Sequence, residues 1–159
     1  MEKVEFINPG ASYHIHFKKL KNEVGIKWTE INKMFGFTNG YVQALIKNQT
    51  MPPYHKCIIA DEVFRELAGQ YGWQRMLKQV VWVYTPEDIL QWYEECDDTY
   101  SWYAEVGVAG VSQWELQYGK SLATGKIQFK KLVQLTRIID DWEEVRELYN
   151  YNLLKKEEI

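Results

Sequence analysis

Residues 35–48 read FGFTNGYVQALIKN, and the placing of their glycines decides how the first third of the chain folds. Gly36 follows an apolar pair, Met34 and Phe35, that closes one helical face, and glycine takes the positive φ of a helix-ending turn without steric cost. Thr38 or Asn39 then caps a new helix, which buries Val42, Leu45 and Ile46. Upstream, Thr29–Phe35 reads as a short helix with Ile31, Met34 and Phe35 inward. A helix before it starts at Ser12 as N-cap and runs to Val24, with Phe17, Leu20 and Val24 as its inner stripe, and Gly25 ends it. Downstream, Pro52-Pro53 interrupts the chain, and Cys57–Leu67 resumes as a fourth helix burying Ile58, Ile59, Val63, Phe64 and Leu67.

Beyond that segment the apolar period stays helical, and no two alternating strands flank a hairpin turn. Trp73–Tyr84 fits a buried helix or, over its last five residues, a strand; we assign it to helix. Thr85-Pro86-Glu87-Asp88 combines a capping hydroxyl, proline at the first helical position and acids in the first turn, opening a helix to about Cys96. Asp97-Asp98-Thr99 starts another, and Lys126–Ile139 and Asp141–Leu154 read as two amphipathic helices. The expected fold is all-α: a helical module over residues 1–70, a connecting helical segment over 71–98, and a second module over 99–159.

The chain has 159 residues, 46% of them hydrophobic. That is enough for one full-sized core or two small ones. Its longest apolar run, Val80–Tyr84, is far too short to span a bilayer, and "MEKVEF" leads into no apolar stretch, so a soluble cytoplasmic protein is expected. Cys57 and Cys96 are too few for a disulfide scaffold and read as reduced thiols. The net charge of −3 conceals an asymmetry. Residues 1–60 hold eight Lys against four Glu, with no Arg or Asp, for +4; residues 61–159 hold eleven bases against eighteen acids, for −7. Because salt screens charges beyond about 8 Å, a phosphate responds to the local face, and the first third is suited to nucleic acid.

The segment KWTEINKMFGFTNGYVQALIKNQTMPP, preceded by FKKLKNEVG, resembles the helix-turn-helix of the phage-repressor and Xre-like class over about Tyr13–Leu67. Ile31, Phe35, Gly36, Phe37, Val42 and Leu45 occupy that class's apolar and glycine positions. Asn32 departs from it, standing where a small residue usually lets the two helices cross closely. The resemblance implies a DNA-binding transcriptional regulator of a phage or other mobile element. A fainter echo sets Gly107 against Gly36, Val108 against Phe37 and Leu116 against Leu45, but Gln113 falls at the place of Val42, so this would be a diverged second helix-turn-helix. Its exit carries Lys120, Lys126, Lys130, Lys131 and Arg137, with no acid between Glu115 and Asp140. That basic run is either a second DNA contact or a solvated helix face.

Asn39, Gln43 and Lys47 recur at i, i+4 and i+8 and lie on one stripe, away from Val42 and Ile46. Asn and Gln match adenine, and Lys matches guanine or phosphate. Thr38 and Tyr41 are placed to donate to phosphates, and Gly40 to allow close approach of the backbone. Lys27 and Lys33, with Lys18, Lys19 and Lys21, flank this stripe. Each good base contact contributes about 1–3 kcal/mol of discrimination, so one helix needs a homodimer or a second module to mark a single genomic site. Double-stranded DNA is thus the expected partner.

Other chemistry is poorly supported. His14 and His16 are two residues apart in an expected helix, where their side chains diverge by about 200°, so they do not share a metal with His55 and Cys57. Glu94, Glu95, Asp97 and Asp98 read as a solvated helix start. The sequence carries no phosphate loop, nucleophile elbow or paired-Cys metal signature, and no enzyme, metal or cofactor is expected. Many Trp and Tyr residues fall in the acidic portion, where they suit a core or a protein contact better than base stacking. Two alternatives follow: an interaction protein that reuses the helix-turn-helix scaffold to inhibit a nucleic-acid enzyme through its acidic, Trp-rich C-terminal half, or a DNA-targeting accessory of a modification enzyme.

Overall fold

Val4–Ile7 forms a strand, β1, although its apolar pattern does not alternate. In a computed structural model that describes residues 1–95 and 112–157, β1 pairs antiparallel with β2, Val80–Val83, with Val4 opposite Val83 and Ile7 opposite Val80. The remaining elements are helical: α1 (Ala11–Lys19), α2 (Trp28–Met34), α3 (Tyr41–Asn48), α4 (Tyr54–Tyr71), α5 (Gln74–Lys78), α6 (Pro86–Glu95), α7 (Ser112–Thr124) and α8 (Phe129–Glu157). The fold is therefore essentially all-α, with one small sheet among the described residues. The expected helix over Trp73–Tyr84 ends at Lys78 and gives way to β2. The partner strand was not visible as a hairpin because it lies far upstream, across five helices.

α1 passes directly into a π-helical turn, Leu20–Val24, ended by Gly25. Ser12 is not its N-cap: Gly10 holds that position, and the buried Ser12 hydroxyl donates to Gln79 Oε1 at 2.5 Å. Thr85 does cap α6, accepting from the Asp88 N–H at 3.2 Å. Lys126–Ile139 and Asp141–Leu154 are not two helices: residues 126–128 belong to the preceding loop, and one continuous helix, α8, runs from Phe129 to Glu157. The echo at Gly107 and Val108 lies outside the described residues, as do Cys96 and the side chains of Gln113 and Leu116.

Two cores share elements. One packs Tyr13, Phe17, Ile31, Phe35, Val42 and Phe64 from α1–α4. The other packs Tyr54, Val83, Ile89, Trp92, Leu132 and Trp142 from α4, β2, α6 and α8. Phe6 enters the second core and its neighbour Ile7 the first, and α4 gives Cys57 to one and Phe64 to the other. Burying a side chain of this size contributes about 1.5–3 kcal/mol, so β1 matters to both sides. Three expected inner positions face out: Met34, Ile58 and Ile59 are exposed, and Val24 sits at the margin of exposure. The buried face of α4 instead follows Tyr54, Cys57, Ala60, Asp61, Phe64, Leu67 and Ala68, an i, i+3/i+4 series with a carboxylate in it.

Candidate nucleic-acid interface

α2 ends as sequence chemistry requires. Gly36 lies at φ 69°, its N–H donates to the Lys33 carbonyl at 3.1 Å, and the Phe37 N–H donates to the Asn32 carbonyl at 2.8 Å. These two bonds satisfy carbonyls left open at the helix end. Phe37 then stacks on Phe35 at 5.8 Å and meets Tyr41 at 4.6 Å, closing the turn with rings. The connection runs through six residues, Phe35–Gly40, against about 3–4 in a typical helix-turn-helix.

Neither Thr38 nor Asn39 caps α3. Gly40 holds the N-cap at φ 80° and has no side chain to offer, so the cap comes from across the turn. Asn32, only 1% exposed, accepts from the Val42 N–H through Oδ1 at 2.9 Å. Its Nδ2 donates to the Trp28 carbonyl and to Gln43 Oε1, each at 2.9 Å. A buried amide left unpaired would cost about 1–3 kcal/mol; here it has three partners. The departure from the small-residue rule thus builds a clamp between α2 and α3. A polar residue inside the stripe Trp28, Ile31, Phe35 signalled that some buried partner had to exist, although not which one.

Several expected roles change. Gly40 lies at φ 80°, a conformation that itself calls for glycine, and within the protein a Cβ there would meet nothing within 4 Å. Tyr41 is half-buried, with Lys56 Nζ 4.0 Å from its ring centroid. Burial pushes its pKa up, so the phenol stays protonated. Gln43 is half-buried and already bonded to Asn32, whereas Thr38, Asn39 and Lys47 are exposed. Lys56, which sequence reading left out, forms a cationic lid over Tyr41 and Phe37.

The flanking lysines divide. Lys27, Lys33, Lys126 and Lys130 are exposed. The Ile127 and Gly125 carbonyls accept from the Tyr54 and His55 N–H groups at 3.0 and 2.8 Å, which anchors the loop before α8 beside the exit of α3. Lys130 consequently lines a cleft with Gln49, Thr50 and Met51. Lys120 instead lines a cleft between α6 and α7, with Glu94 in its wall. The ion pairs among the described residues are Lys3–Asp140, Arg65–Glu5 and Arg65–Asp61, so a carboxylate neutralises none of Lys27, Lys33, Lys47, Lys126 and Lys130.

The histidines serve the fold: His14 Nε2–H donates to the Thr50 carbonyl at 2.8 Å, and His16 Nδ1–H to the Ser12 carbonyl at 2.7 Å. Trp92 and Trp142 are buried against each other at 5.4 Å, while Trp82 is 52% exposed. Among the described residues no helix is long and apolar enough to cross a membrane. Comparison with protein families, curated proteins and solved structures gives no match to this chain.

Proposed function

We propose that the protein binds duplex DNA by laying the outward edge of α3 into the major groove, with Lys27, Lys33 and Lys47 against the flanking phosphates. The supporting observation is the set of exposed lysines, none paired with a carboxylate among the described residues, around a short helix anchored by Asn32. Unpaired lysines are the groups that displace counterions from DNA, and a clamped helix loses little freedom on docking. Lys126 and Lys130 extend the phosphate contact past the exit of α3. With only Asn39 and Gln43 to read bases, two copies on paired half-sites would be needed, as a homodimeric transcriptional regulator requires.

Fluorescence anisotropy on a labelled duplex tests this. Affinity should fall steeply as salt rises, and Lys47→Ala should reduce the slope of log K against log salt by about 1 if that side chain meets a phosphate. Trp82→Ala should leave the binding unchanged. Absence of duplex binding at low salt would reject the proposal, and a protein complex lost in Trp82→Ala would favour the interaction-protein alternative.

A further inference from the structure

We infer that Asn32 sets the base preference of Gln43, turning it from an adenine reader into a donor for guanine or thymine. The inference rests on the duplex-binding proposal and follows from the polarity of backbone groups. The Val42 N–H can only donate, so the atom of Asn32 facing it is the oxygen. The Trp28 carbonyl can only accept, so the atom facing it is the nitrogen. With both ends of Asn32 fixed, its remaining N–H points at Gln43, and the atom of Gln43 that receives it must be Oε1, at 2.9 Å. The orientation of the Gln43 amide is therefore dictated by two main-chain groups on different helices.

That orientation has a consequence for reading bases. Bidentate recognition of adenine needs an acceptor for N6–H and a donor for N7 from the same amide. Here Oε1 is drawn into the helix crossing by a side chain that is itself fully buried, and Nε2, with no hydrogen-bond partner among the described residues, keeps contact with solvent. With one lone pair of Oε1 taken and that oxygen turned toward Asn32, Gln43 presents chiefly its donors, which suit O6 or N7 of guanine or O4 of thymine. Asn32 touches no base in this scheme. It is a positioning residue acting through Gln43.

Two measurements on the full chain separate this inference from the proposal beneath it. The first needs no DNA. Gln43→Glu presents a carboxylate that can only accept, so it keeps the bond from Asn32 and should melt at the wild-type temperature, whereas Gln43→Leu, which cannot accept, should melt lower. If Gln43→Glu falls as far as Gln43→Leu, the assigned polarity is wrong. The second is selection of bound duplexes from a random pool by wild type and Gln43→Ala. The position whose preference vanishes in Gln43→Ala should be guanine or thymine in the wild-type selection. Adenine there, or no position that responds, overturns the inference while leaving duplex binding intact. Failure of the wild type to bind any duplex rejects the proposal and the base preference with it, and the melting comparison still reports the amide's orientation.

Discussion

His16 shows how much one side chain can reveal about the interior. Its ring is buried, 4.8 Å from Trp73, and its Nδ1–H is engaged by Ser12. Burial pushes its pKa below 6.5, with Lys19 adding to that, and the bond to Ser12 and the charge of Glu23 only partly oppose it. The unfolded chain therefore takes up a proton more readily than the folded one. The stability this site contributes is fully present above about pH 6.5 and is lost as pH falls from there toward the folded-state pKa. Chemical denaturation from pH 7.5 down to 5 should show wild type losing more stability than His16→Phe, which has no ring proton to gain. Parallel pH curves for the two proteins would show that the ring is not held neutral by its surroundings.

At the scale of an element, the ends of α2 and α3 carry the strain. Gly40 at φ 80° is open on all sides, so the cost of Gly40→Ala is conformational, about 1–2 kcal/mol. Gln49, which ends α3 at φ 51°, is the only non-glycine residue in the left-handed region among the described residues. Gln49→Gly removes the penalty that a side chain meets there. The two substitutions should move the thermal midpoint in opposite directions by about 2–4 °C per kcal/mol in a chain of this size, as followed by circular dichroism. If Gly40→Ala leaves the midpoint unchanged, the turn before α3 does not have this shape. How legible each helix was follows from the same physics. Gly25, Gly36 and the Thr85 cap announce their turns through local chemistry, so these boundaries could be read. The cap of α3 could not, because Asn32 supplies it from another helix. Ile58 and Ile59 were misplaced because a buried Asp61 and Ala60 define the inner face of α4, and hydrophobicity alone points elsewhere.

Across the whole molecule, β1 is the joint. Ile7 and Phe6 serve different cores, and Asp61 fastens the strand by accepting the Ile7 N–H through Oδ2 at 2.7 Å and Arg65 Nε through Oδ1 at 2.6 Å. Hydrogen bonds to a charged group are worth about 1.5–3 kcal/mol. Asp61→Ala should therefore lower stability by about that much, and near- and far-ultraviolet dichroism should still report one coincident transition. Two separated transitions in the wild type would show that the cores melt independently. The sheet was the least legible part of the fold, since nothing near Val4–Ile7 names a partner beyond α1–α5, whereas the charge asymmetry behind the proposed DNA contact needs only local counting. The pairing of β1 with β2 also sets an order of events during synthesis. A ribosome releases Val4–Ile7 long before Val80–Val83, so the backbone of this strand has no sheet partner while α1–α5 are translated, and a pause ahead of Val80 would lengthen the time in which chaperones bind the nascent chain.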